Sequence, residues 1–237
     1  MQNSIALYVS VPVASFRVPR AREYFETLPC PPPSTVYGML LSLVGETNRH
    51  AHEGAELAIA LLSQPEYSVV LRTLWRVKNV GKIPGRGEQR YGPGQNPEDF
   101  GVQDARGGNR RPDFQELLTQ VKLVVWLKKG KNEDAPVCLA DRVRQVLAAP
   151  RTAIRFGGLS LGESTHLVDD VRLLRETDGS HGTILLQNDE GDLSLPIWAD
   201  HVGSRGTVWE QFNLRNGTIS SSPNEEAWIS INRRVDG

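Results

Sequence analysis

Apolar positions follow two periods along this chain. Residues Ser4 to Val13 read Ser-Ile-Ala-Leu-Tyr-Val-Ser-Val-Pro-Val, a β-branched run that predicts an opening strand buried on at least one face. Residues Ala14 to Pro33 are irregular. Pro31-Pro32-Pro33 bars helix before Ser34, and Ser34 is a good N-cap. Val36, Met39, Leu40, Leu43 and Val44 then fall at i, i+3, i+4, i+7 and i+8. They form one apolar stripe of a helix that should stop near Gly45.

Period two returns afterwards. Leu57 to Leu62, bounded by Gln64-Pro65, reads as a strand. From Tyr67 to Lys78, Tyr67, Val69, Leu71, Thr73, Trp75 and Val77 share one face, with Arg72, Arg76 and Lys78 on the other. Gln120 to Lys129 predicts another strand. Leu139 to Ala149 predicts a helix with Leu139, Val143, Val146 and Leu147 on one face, stopped by Pro150. Leu167 to Leu174 reads as a strand. Short strands follow around Thr183–Leu186, Leu193–Trp198 and Thr207–Leu214, and the final residues read as polar and frayed. The order is strand, helix, strand, long loop, strand, helix, strand, then a β-rich tail. That predicts an α+β fold on the βαββαβ, ferredoxin-like pattern, with the long loop between its second and third strands.

The 237 residues fit one large domain, or one domain with a small appendage. With 39% hydrophobic and 23% charged residues, wholesale disorder and coiled coil are excluded. No apolar run reaches the roughly 20 residues that cross a bilayer, and the N-terminus has no basic region before its apolar stretch. Cys30 and Cys138 stand far apart, so neither a metal-type pair nor a disulfide framework is expected. A cytoplasmic location without membrane contact is the expectation. The net charge of −1 excludes a uniformly basic nucleic-acid binder but leaves room for a local basic patch.

Most catalytic signatures are absent. Gly81-Lys82 and Gly130-Lys131 lack a phosphate-loop frame. Gly162-Glu163-Ser164-Thr165-His166 lacks the last glycine of a nucleophile elbow. Phe156 to Ser164, with Gly157, Gly158 and Gly162, reads instead as a loop that lets backbone approach a ligand or a neighbouring strand. His50 and His52 read as solvated loop histidines. No cofactor and no metal are expected.

Two regions point to nucleic acid. Arg17, Arg20 and Arg22 precede the helix that starts at Ser34, where free N–H groups favour phosphate, and Tyr24, Phe25 and Tyr37 offer faces for bases. Ion pairs of these arginines with Glu23 and Glu26 on an ordinary surface loop are the equal alternative. Asn79 to Pro112 is rich in glycine and poor in aliphatic residues. It carries Lys82, Arg86, Arg90, Arg106, Arg110 and Arg111 against four acids. It suits either a backbone-following RNA contact or a solvated linker.

The stretch Ala6 to Arg17, ending Ala14-Ser15-Phe16-Arg17, and the stretch Pro29-Cys30-Pro31-Pro32-Pro33-Ser34-Thr35-Val36-Tyr37-Gly38-Met39-Leu40 resemble the signature of CRISPR-associated family five. Phe156 to Ser164 is similar to the glycine-rich segment of that family's second half. The nearest pattern is the subset first described in myxobacterial development operons. The resemblance implies a RAMP-superfamily subunit of a type I Cascade complex. It also implies a ferredoxin-like (RRM-like) domain over residues 1–175, a thumb inserted at about 79–115 and a small β-rich C-terminal part over 176–237. Such a subunit would bind the 5′ handle of the guide RNA and cap the backbone-subunit filament. It would meet the large subunit, and target DNA near the protospacer-adjacent motif. Phe16, Arg17, Arg20, Arg22, Ser34, Tyr37, Arg76, Lys78, Arg110 and Arg111 become the candidate RNA contacts. One branch of the family cleaves precursor RNA with a tyrosine, a lysine and a histidine. No Lys-His pair stands in this sequence, so a non-catalytic role is expected, with the endoribonuclease as the alternative.

Overall fold

The opening alternation is β1 (Ile5–Ala14), and Leu7, Val9 and Val11 on one of its faces are fully buried. The computed structural model describes residues 4–18, 24–75, 110–155, 157–201 and 205–233. The other elements are β2 (Tyr24–Phe25), α1 (Pro33–Leu43), β3 (Glu56–Leu61), β4 (Glu66–Trp75), β5 (Arg110–Lys128), α2 (Leu139–Ala148), β6 (Asp170–Leu173), β7 (His181–Gln187), β8 (Leu193–Trp198), β9 (Val208–Thr218) and β10 (Ile229–Ser230). All ten described strands join one large, mostly antiparallel sheet, along the path β6–β1–β5–β3–β7–β9–β8. Among the described residues no helix is long and apolar enough to cross a membrane.

The two α-helices among the described residues lie in the crossovers between β1 and β3 and between β5 and β6. Val36, Met39, Leu40 and Leu43 of α1 are buried, the stripe read from the sequence. Each such side chain stabilises the fold by about 1.5–3 kcal/mol. Val143 and Leu139 of α2 enter the same core. So do Leu185, Leu195 and Phe212 of the C-terminal strands, because β7 pairs with β3 through Ala60↔Ile184 and Leu61↔Thr183.

Two segments differ from the sequence reading, and in a third the structure decides what periodicity left open. The third long strand, expected from Gln120, starts at Arg110. Its first half pairs with β4 from Trp75↔Arg110 to Glu66↔Thr119, and its second half pairs with β1 and β3. Residues 110–115 of the expected loop are therefore strand. Gln120, at φ 54°, marks the change of partner, and Ser63 Oγ staples it by donating to the Gln120 carbonyl and accepting from Lys122 N–H. The shared face of Tyr67, Val69 and Leu71 points to solvent and continues into Phe114 and Tyr24. The tail, expected to be frayed, is seated as far as Ile231, and residues 234–237 lie outside the described residues. Ile229 and Ile231 are buried, and β10 pairs with β3, since two isoleucines at alternate positions seat the segment in the core.

His52 is also not solvated. It is 1% exposed, and its Nδ1 lies 2.8 Å from Oε1 of Glu133, itself 2% exposed. The same Oε1 accepts the Leu139 N–H that opens α2, at 2.7 Å. Arg142 reaches His52 Nε2 at 2.9 Å and pairs with Glu46 at 2.6 Å. The polar loop between α1 and β3 is thus pinned from below by α2.

Candidate functional site

Four segments converge beside the start of α1: the turn after β1, the first two turns of α1, the glycine loop, and the end of β8. The turn is fixed by backbone. Phe16 N–H donates to Thr27 Oγ1 at 2.8 Å, and Leu28 N–H donates to the Phe16 carbonyl at 2.8 Å. The glycine loop folds back on itself through Leu161 N–H to the His166 carbonyl and His166 N–H to the Glu163 carbonyl. It lies against the turn because Gly162 has no side chain. At φ 96°, a Cβ there would stand 2.6 Å from the carbonyl oxygen of Ser15. Glu163 in turn pairs with Arg72 at 3.0 Å and accepts from Gln115 Nε2 at 2.9 Å. The loop therefore locks the base of the β4–β5 hairpin to the end of β1.

Between these segments run two adjoining cavities of about 340 and 450 Å³. Both are lined by Ser34, Thr35, Gly162 and Ala199, so they form one groove along the start of α1. Arg17 stands at one end and Arg49 at the other. Ser34, Gly38 and Ser42, spaced four apart, turn the small face of α1 toward it. Among the described residues Glu163 is the one acid of the lining, and Arg72 pairs with it. Cations at both ends and hydroxyls between them suit a phosphodiester strand.

Arg17 is exposed, with its guanidinium 3.8 Å from the Phe25 ring centre. Ser34 is half-buried at the helix start, and no side chain caps that start. Phe16 is only 3% exposed and belongs to the core, so it shapes the groove wall and offers no face to a base. Tyr37 is 4% exposed, and its hydroxyl donates to the Arg49 carbonyl at 2.7 Å. Burial holds that phenol's pKa well above the ordinary tyrosine value. Its work is to hold Arg49, not to stack. Gly162 lines both cavities, whereas Gly158 packs on Leu167 and Gly157, at φ 70°, faces open space. Arg20, Arg22, Arg76 and Lys78 lie outside the described residues, as do the side chains of Arg110 and Arg111. Sequence reasoning missed Thr35, Arg49, Trp198 and His201. The only signal was a tryptophan closing a predicted strand, and no spacing rule connects residue 49 to residue 198.

His166 couples this site to pH. Its Nδ1 accepts the Ser15 N–H at 3.2 Å, so that nitrogen carries no proton. Burial lowers its pKa, against an opposing pull from Glu163. Below about pH 6.5 the unfolded chain binds more protons at this histidine than the folded one. Stability is therefore full above that pH and falls as the pH drops. Thermal melts between pH 8 and pH 5.5 should show the wild type losing more stability than His166→Gln, whose amide oxygen still accepts from Ser15. Parallel losses in both proteins would show that His166 is not the titrating group.

The family model described as CRISPR-associated protein Cas5 matches residues 4–228. A Myxococcus xanthus (strain DK1622) protein, "CRISPR-associated protein Cas5", is 44% identical over 207 residues, covering 87% of each chain. A solved structure described as "CRISPR RNA-guided surveillance complex" superposes with a TM-score of 0.58 at 13% identity, over 95% of this chain and 96% of that one, which is a likeness of fold. A match over nearly the whole chain and a relative this similar give the same assignment: the chain belongs to the Cas5 family of CRISPR-associated proteins.

Proposed function

We propose that this chain is the non-catalytic subunit of a type I surveillance complex that holds the 5′ handle of the guide RNA in the groove along α1. One observation carries the reading. The two stretches that bear the family resemblance, through Phe16 and Arg17 and through Pro32, Ser34 and Thr35, are brought together as walls of one hydroxyl-rich groove with a cation at each end. Single-stranded RNA suits such a site, because phosphates supply affinity while splayed bases are read at their edges. The strand order β6–β1–β5–β3, with a helix in each crossover, supports reading the N-terminal part as the ferredoxin-like βαββαβ arrangement. The β4–β5 hairpin supports the thumb. Its exposed Tyr67, Val69, Leu71 and Phe114 form an apolar stripe that suits the neighbouring backbone subunit of the filament. The likeness of fold to a chain of an RNA-guided surveillance complex is consistent with assembly of this kind. The large subunit and target DNA near the protospacer-adjacent motif would lie at this end of the filament.

Arg17→Ala tests the groove. Its side chain is exposed, so folding should be unchanged, and loss of one charged phosphate contact should weaken handle retention by about tenfold. The salt dependence should also fall by about 0.7 in slope, the share of one phosphate on a single strand. Filter binding of the assembled complex across a salt series reads both. Retention and slope equal to wild type would remove Arg17 from the site. Incubating the purified chain with a repeat-containing precursor RNA tests the enzyme alternative. Intact RNA is expected, and cleavage at one position would make the chain a processing endoribonuclease.

A further inference from the structure

We infer that the Arg49 end of the groove is a nucleotide subsite, in which one base of a single-stranded RNA stacks on the Arg49 guanidinium while its phosphate meets the hydroxyls beside it. The inference rests on the handle-binding reading and adds a place and a residue to it.

Arg49 is held for this purpose from three sides. Its carbonyl accepts the Tyr37 hydroxyl, its Nη2 donates to the Ala199 carbonyl, and its Cζ lies 4.3 Å from the centre of the Trp198 ring. Trp198 is 4% exposed, with Tyr37 at 6.2 Å and His50 at 5.2 Å between ring centres, so its own faces are covered. The half-buried guanidinium is the planar group that this stack presents to the cavity. Among the described residues no carboxylate pairs with Arg49, and no acid lines this cavity. A guanidinium whose charge is met only by a carbonyl and an indole keeps both its plane and most of its donors for a ligand. Arginine planes stack on bases, and their forked donors bind phosphate or base-edge oxygens.

The rest of the lining decides the ligand class. Ser42, Thr47 and Ser160 bring hydroxyls and His201 an imidazole, all neutral or cationic. At about 450 Å³ the cavity lies within the range of about 300–1,000 Å³ typical of small-ligand pockets. Bare phosphate would leave the planar stack unused. A strongly apolar ligand would leave the hydroxyls unmet. A nucleotide uses both.

The test is handle retention by the assembled complex, with guide RNAs made abasic at one handle position at a time. Arg49→Lys keeps the charge and loses the plane. It should weaken retention of the intact handle by about tenfold, the loss of one base stack. One particular abasic RNA should bind wild type and Arg49→Lys alike, because the base that stacks is already gone. Thr47→Asp, at an exposed loop position, leaves the Arg49 stack in place and puts a carboxylate at the cavity rim. It should weaken retention by a similar factor at low salt. The subsite is overturned if wild type retains the handle and both variants retain it equally well. It is also overturned if the Arg49→Lys loss is the same with every abasic RNA. If wild type itself does not distinguish a handle-bearing RNA from one without a handle, the handle reading fails first, and the subsite falls with it.

Discussion

Gly38→Glu is expected to leave the chain folded and to reduce guide-RNA retention by more than about a hundredfold, whereas Gly38→Ala should bind RNA normally and be more stable than wild type. Gly38 sits in the middle of α1, exposed, and a Cβ there would meet nothing within 4 Å. In a helix interior, alanine is favoured over glycine by roughly 0.5–1 kcal/mol, so the natural residue costs stability without any packing reason to be there. The groove gives a reason for a small residue there, one that alanine would also satisfy. With Ser34 one turn before it and Ser42 one turn after, Gly38 keeps the face of α1 low enough for a strand to lie on it. A glutamate at this point fills that space and sets a negative charge where phosphates would pass. Its repulsion acts at contact distance, where salt screens it least. Denaturant melts of both variants, with retention measured on the same preparations, separate the two effects. Wild-type retention by a folded Gly38→Glu complex would mean that the RNA does not run over α1.

The contrast between Gly38 and Arg49 marks how far the chain could be read without its fold. α1 was legible to within two residues, because three prolines and an i, i+3, i+4 stripe leave only one start and one face. The turn at Phe16-Arg17 and the glycine loop were also legible as special backbone, although nothing local said that Gly162 would close on Ser15. The β4–β5 hairpin was legible only in part. Periodicity placed Tyr67, Val69 and Leu71 on one face, but it does not say whether that face meets a core, water or another chain. Arg110 to Thr119 is strand because β4 offers it a partner, a fact that lies 35 to 53 positions away along the chain. Arg49, Trp198 and His52 were illegible for the same reason. Arg49 and His52 sit in a polar loop of ordinary composition, Trp198 closes a strand, and each takes its role from contacts with residues at least 81 positions distant.

The network under that polar loop should prove the most stability-sensitive point outside the apolar core. Glu133→Ala removes the one acceptor shared by His52 Nδ1 and the Leu139 N–H. Arg142 donates to Nε2 of His52, so the ring proton sits on Nδ1 and needs the carboxylate as its acceptor. With alanine at 133 that proton and the first N–H of α2 are both left in the interior without a partner, and a cavity replaces the side chain. Two unpaired buried donors at about 1–3 kcal/mol each, together with the cavity, put the cost at about 3–5 kcal/mol. Glu133→Gln keeps an oxygen that can accept both bonds, loses the charge and puts its NH2 where the buried Oε2 has no hydrogen-bond partner among the described residues, so its cost should be nearer 1–2 kcal/mol. The order of the two variants in urea melts is the check, and equal losses would mean that the negative charge, which both variants lose, matters more than the two hydrogen bonds. The consequence reaches the groove. His52 and Arg142 hold the loop from Val44 to Ala55 from below, Arg142 through bonds to Glu46 and the Val44 carbonyl. Arg49 rides on that loop. A folded Glu133→Ala complex should therefore also release the guide RNA faster than wild type, and Glu133→Gln should not.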